Sequence, residues 1–181
     1  DPRLQLEVLK QVAKPKLVAC DTMNFWIESR RDDLITLLGH VDLVTLNDAE
    51  VRQLTEKANL VQGARWILER GPKTVVVKKG EHGAFMFTSS TVFYAPAFPL
   101  ESVYDPTGAG DSFGGGFMGW LAREGDTSPT TIRTAMIMGS VLASFCVEDF
   151  SLDRFKRLNL GEIRERFQAF ADLVHFEKIK L

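Results

Sequence analysis

Several features that would settle the class of a protein at once are scarce or missing here. There are only two cysteines, Cys20 and Cys146, far apart and each inside an apolar run. That excludes a scaffold built on disulfides and suits buried, reduced thiols, with a reducing compartment such as the cytoplasm as the expectation. The three histidines, His40, His82 and His175, lack the spacing of metal ligands, which argues against a zinc centre. Lysine plus arginine number 22 and aspartate plus glutamate 24, a net charge of −2. Neither a nucleic-acid partner nor an anionic membrane is expected from such a balance. No leader-like segment is visible, and the longest apolar stretch, 135–147, is too short to cross a bilayer and carries Ser140 and Ser144. No G-x-x-x-x-G-K-[ST] run occurs, which excludes a P-loop. Repeats, low-complexity tracts and clear linkers are missing as well.

What is present is an ordinary globular composition, 45% hydrophobic and 25% charged over 181 residues. That length holds one domain with a real core and is too short for two large ones. The opening "DPRLQLEVLKQV" has no methionine and reads as a helix already under way, so the chain is expected to be a piece of something longer. Strand patterns fall at 17–20, 41–46, 74–78, 84–88 and 91–98, the clearest being the β-branched "TVVVK". Helical spacing marks 26–38, 48–54, 60–70, 110–123, 130–147 and 161–174, the third of these stopping at Gly71-Pro72. Trp26, Trp66 and Trp120 read as core or interface aromatics. Strands alternating with helices predict an α/β fold: a largely parallel sheet with helices on both faces.

The stretch "DPTGAGDSF", 105–113, concentrates the chemistry. Phe113, Phe117, Trp120 and Leu121 follow at helical spacing, so Gly108-Ala109-Gly110 lies at a helix N-terminus. There the first N–H groups lack helical partners and the dipole is positive. Glycine removes the Cβ that would hold an anion away. Such a place suits phosphate or a developing negative charge. Asp111, in the first turn, is placed to take a proton from a hydroxyl attacking a phosphoryl group held there. The same residues also suit plain helix capping. Gly114, Gly115, Gly116 and Gly119 each cost helix stability. They predict close approach of either a ligand or another helix.

On these residues, "DPTGAGDSFGGGFMG" resembles the C-terminal motif of the ribokinase-like family, the PfkB-type carbohydrate and nucleoside kinases. The order of elements over 16–150 is similar to that family's C-terminal half. The resemblance implies a ribokinase-like α/β fold, incomplete without an N-terminal half, with residues 1–181 as the nucleotide-binding part. Asn47-Asp48-Ala49-Glu50 matches the family's Asn-x-x-Glu. It implies that Asn47 lies near the phosphates and that Glu50 holds Mg²⁺ through water. By residue type alone the same four positions suit an N-cap and a capping box. "VVVKKGEHGAF" resembles the strand–turn–strand beside the nucleotide, with Lys78, Gly80 and Gly83 matching; the family often has threonine at the position of Lys78. Asp105 and Thr107 match positions that hold a monovalent cation, K⁺, in cation-dependent members. "CDTMNFW" falls where the family often has acid–proline–asparagine–x–arginine. Asp21 and Asn24 are spaced differently here and suit a turn.

The resemblance implies ATP-dependent transfer of a phosphoryl group to a hydroxyl of a small sugar or nucleoside. Asp111 would be the base, Gly108, Ala109 and Gly110 the anion hole, and ATP and Mg²⁺ the cofactors. The second reading is a nucleotide-binding module inactive by itself, because the family's acceptor pocket comes mostly from the N-terminal half. Loss of that half would also leave an apolar face uncovered, so a homodimer or other association through it is expected.

Overall fold

The structure, a computed structural model, describes residues 1–177. Two compact units emerge: the first is Asp1–Lys79 with Ala84–Tyr94, the second Gly80–Gly83 with the chain from Ala95 onward.

The first unit carries the sheet. Its strands are β1 (Ala19–Asp21), β2 (Leu43–Asn47), β3 (Thr74–Lys78), β4 (Ala84–Phe87) and β5 (Val92–Ala95), in the spatial order β1-β2-β3-β4-β5. β1 with β2 and β2 with β3 are parallel, whereas β3 and β4 are antiparallel. The sheet is therefore mixed. Its antiparallel step arises because β3 returns through the short 3₁₀ turn Gly80–His82 rather than through a helix. In β2 and β3 all four residues before the last are buried, as expected for central parallel strands covered on both faces. Helices α1 (Pro2–Leu9), α2 (Asn24–Ser29), α3 (Arg31–Leu38), α4 (Asp48–Thr55) and α5 (Leu60–Leu68) accompany the sheet. Leu34, Leu38, Val51, Leu54 and Ile67 from these helices join Val44, Leu46, Val75 and Val77 in one core.

The helix expected over 26–38 is two helices. Arg30 lies between them with φ −144° and ψ 37°. Just before it, the Ser29 hydroxyl donates to the Phe25 carbonyl at 2.5 Å, the kind of local bond that competes with regular helix. The extended segment expected over 91–98 shortens to β5, and 17–20 begins as strand only at Ala19.

The second unit is helical: α6 (Ala109–Glu124), α7 (Pro129–Cys146), α8 (Asp153–Arg157) and α9 (Leu160–Leu173). α6 and α7 touch backbone to backbone. A Cβ on Gly116 would lie 2.8 Å from the Met138 carbonyl oxygen, and one on Gly139 2.8 Å from that of Phe113. Val141, Phe145 and Phe170 form a core with half-buried Phe98, Ile163 and Phe167. Among the described residues no helix is long and apolar enough to cross a membrane.

Candidate active site

In the first unit, four polar residues collect where the parallel strands end. Asn47 closes β2 and stands in register with Lys78, which closes β3; Asp21 closes β1 and stands in register with Thr45. Carboxyl ends of parallel strands are where open α/β sheets bind ligands. Asn47 then caps α4 in a complete capping box. Its side chain accepts from the Glu50 N–H at 2.8 Å, and the Glu50 carboxylate accepts from the Asn47 N–H at 2.7 Å. Both capping roles that the sequence suggested are thus realised. Capping does not account for the burial of Glu50, which is 5% exposed. Burial pushes its carboxyl above the usual range, and the nearby Asp21 adds to the rise. The Asn47 N–H and Lys78 pull the other way. Lys78 donates to Asp21 at 2.8 Å. This partner lies 57 residues away, and nothing local in the sequence announces it. Next to Asp21, burial pushes the Cys20 thiol up to about 12, as for an inert, reduced cysteine.

The second unit holds the glycine-rich turn. Gly108 is the N-cap of α6 with φ 80° and ψ 0° and offers no side-chain cap. α4, α5, α7 and α9 all begin under a side-chain oxygen, from Asn47, Asn59, Ser128 and Asn159. The left-handed backbone at Gly108 is why glycine is needed there. Ahead of it, the Asp105 carboxylate accepts from the Thr107 N–H at 2.9 Å, and that hydrogen bond holds it below the usual carboxylate range. The Cys146 thiol donates to the Thr107 carbonyl at 3.6 Å, so the end of α7 supports the turn. Asp111 is exposed in the first turn of α6. Gly110 is exposed as well, and Gly108 and Ala109 are half-buried.

The glycines inside α6 separate by cause. Gly116 meets the α7 backbone, whereas a Cβ on Gly114, Gly115 or Gly119 would find nothing within 4 Å. Of the two turn glycines, Gly83 has φ 76°, and its Cβ would lie 2.2 Å from the Ala95 carbonyl oxygen; Gly80 has φ 54° and open space around it. Gly83 is thereby fixed by packing, while Gly80 is fixed by backbone conformation alone.

Residues 4–155 match the description "pfkB family carbohydrate kinase". The chain belongs to this family. Among curated relatives, a cytidine kinase of Thermococcus kodakarensis is 34% identical over 127 residues, 67% of this chain and 45% of that protein. The chain thus spans about half the length of the relative it matches. Among solved structures, the nucleoside kinase of Methanocaldococcus jannaschii, described as an archaeal member of the ribokinase family, superposes with a TM-score of 0.75 at 23% identity. It covers 93% of this chain and 54% of its own. The aminoimidazole riboside kinase of Salmonella enterica, complexed with aminoimidazole riboside and an ATP analogue, gives a TM-score of 0.72 at 20% identity, covering 83% and 52%. The fold of this pfkB-family chain is ribokinase-like, as the resemblance of "DPTGAGDSFGGGFMG" implied; the alternation of strands and helices pointed only to the α/β class.

Proposed function

We propose that the protein to which this chain belongs transfers a phosphoryl group from ATP to a hydroxyl of a small sugar or nucleoside. The observation that carries this reading is the start of α6: a 16-residue helix whose N-cap is a left-handed glycine without a capping side chain, with the exposed carboxylate of Asp111 in its first turn. A helix N-terminus stripped of side chains offers backbone N–H groups and a positive dipole end to an anion. Gly108, Ala109 and Gly110 are assigned to hold the charge that develops on the transferring group. Asp111 is assigned as the base that takes the hydroxyl proton. Lys78, Gly80 and Gly83 are assigned to the nucleotide side.

Asn47 and Glu50 are the residues assigned to Mg²⁺. Their oxygen donors are of the hard type that this ion takes. Asn47 Oδ1 and Glu50 Oε2 each accept one backbone N–H, and the contact of Glu50 with the ion is assigned through water, as the resemblance implies. When bound, Mg²⁺ neutralises phosphate charge. Asp105 and Thr107 are assigned to a monovalent cation, K⁺, whose carboxylate ligand would be the Asp105 side chain. Phosphoryl transfer asks the protein for positioning and charge stabilisation more than for covalent chemistry.

Asp111→Asn in the complete gene product tests the reading. Turnover is expected to fall by about 10²–10⁴-fold, while affinity for a non-hydrolysable ATP analogue stays within a few-fold, because the carboxylate serves the acceptor. Near-normal turnover would remove Asp111 from the role of base. The second reading is a nucleotide-binding module without turnover of its own. A phosphorylation screen over sugars and nucleosides separates the two.

A further inference from the structure

The second unit contains an ion-pair cluster to which none of the roles above gives a purpose. Its centre is Glu148, two residues past α7. One carboxylate oxygen accepts from Arg154 Nε at 2.8 Å and the other from an Arg166 guanidinium nitrogen at 2.6 Å. Arg166 also donates to the Ser144 hydroxyl at 2.9 Å, and Arg154 also pairs with Glu162. Both guanidinium groups lie over the Phe145 ring, at 4.8 and 4.1 Å, and that of Arg166 lies over Phe98 as well, at 4.4 Å. The arginine side chains are only 11% and 16% exposed. This is unlike a loose surface pair, which contributes little. Two charge-assisted donors hold both oxygens of one carboxylate.

The cluster pins the loop 147–151, and that loop is tied to the glycine-rich turn. The Tyr104 N–H donates to the Val147 carbonyl at 2.8 Å. Ser151 is held at φ 52°, a left-handed conformation that a non-glycine residue keeps only where its surroundings enforce it. Its backbone N–H lies on the side of the Asp105 carboxylate and helps to hold that group below the usual carboxylate range; the same carboxylate takes the Thr107 N–H. From the other side, Cys146 bonds the Thr107 carbonyl. Gly108, the N-cap of α6, follows at once.

We propose that Glu148, clamped between Arg154 and Arg166, is a positioning residue: it fixes the end of α7 and the loop 147–151, and through the bonds of Val147 to Tyr104 and of Cys146 to Thr107 that segment sets the helix N-terminus at Gly108. The inference rests on the reading of that N-terminus as an anion cradle. A cradle must be held to a fraction of an ångström, and a misplacement of 1 Å can lower the rate about 10²-fold.

The test uses the complete gene product with Glu148→Gln, which keeps the size of the side chain, and the milder Arg166→Lys. Kinetics are read well below the melting temperature, and the amide signals of Thr107 and Gly108 are read by NMR. In Glu148→Gln, kcat is expected to fall about tenfold or more while the acceptor KM stays within about twofold, the pattern of a lost transition-state interaction. The Thr107 and Gly108 amide signals are expected to move. Arg166→Lys should show the same signs at smaller size, and it carries the test alone if Glu148→Gln does not fold. A role in stability alone would lower the melting temperature and leave kcat and those two signals unchanged in both variants; that result overturns the proposal. If the wild-type protein phosphorylates no sugar or nucleoside, the kinase reading fails by itself. The amide signals then still decide whether Glu148 sets the turn.

Discussion

At Glu50 two demands meet in one carboxyl group. It closes the capping box of α4, and it is buried at a strand end where burial and Asp21 raise its pKa above the ordinary 4.5. A raised folded-state pKa means that folding disfavours the ionised form. The favourable contribution is present below the unfolded pKa and is lost as pH rises through the folded one. At neutral pH the charge therefore costs stability, and a helix cap alone would not require it. Glu50→Gln keeps an acceptor for the Asn47 N–H. The thermal midpoint at neutral pH is expected to stay level or rise, while the Mg²⁺ concentration for half-maximal activity increases. A lower midpoint with unchanged Mg²⁺ demand would leave Glu50 as a cap and nothing more. The capping box was legible in "NDAE" because its partners are three residues apart. The ion pair of Lys78 with Asp21, and the grip of Arg154 and Arg166 on Glu148, were not. Their partners lie 57, 6 and 18 residues apart, and only the fold brings them together.

Between elements, the glycines of α6 carry the sharpest contrast. A methyl group on Gly116 would be driven into the α7 backbone, and overpacking of that kind costs about 1–3 kcal/mol. Gly116→Ala is therefore expected to lower stability by that amount in denaturant titration. Gly114 has open space around its would-be Cβ, so Gly114→Ala should raise stability by about 0.5–1 kcal/mol through helix propensity. If both variants shift stability the same way, the division between packing and open glycines is wrong. The sequence showed four glycines with two possible causes, and only the neighbour across the helix pair decides between them. Strands β2, β3 and β4 and the start of α6 were legible because burial and turn residues repeat at the right period. The break at Arg30 was not, since neither glycine nor proline marks it. Nor was α8, whose five residues, "DRFKR", are too few and too charged to show a period.

For the molecule as a whole, acid should act unevenly on the two units. In the second unit Asp105, Asp126, Glu148, Asp149 and Glu162 all have carboxyl groups held below their ordinary values by hydrogen bonds and ion pairs. In the first, Asp42 and Asp48 are lowered while Glu50 is raised. A lowered folded-state pKa gives stability that is present above the unfolded value and is lost as pH falls through the folded one. Between pH 6 and pH 3, the amides of α7 and α9 are expected to lose more hydrogen-exchange protection than those of β2 and β3. Equal losses would count against this distribution of charge. The strand order has a consequence of another kind. Because β1 to β5 lie side by side in the order in which they are encoded, each of β2 to β5 finds a neighbour already made as it emerges during synthesis. Among these five described strands no slot waits for a later one, and β1 through β5 can add one by one at the growing edge while α6 to α9 are still being translated.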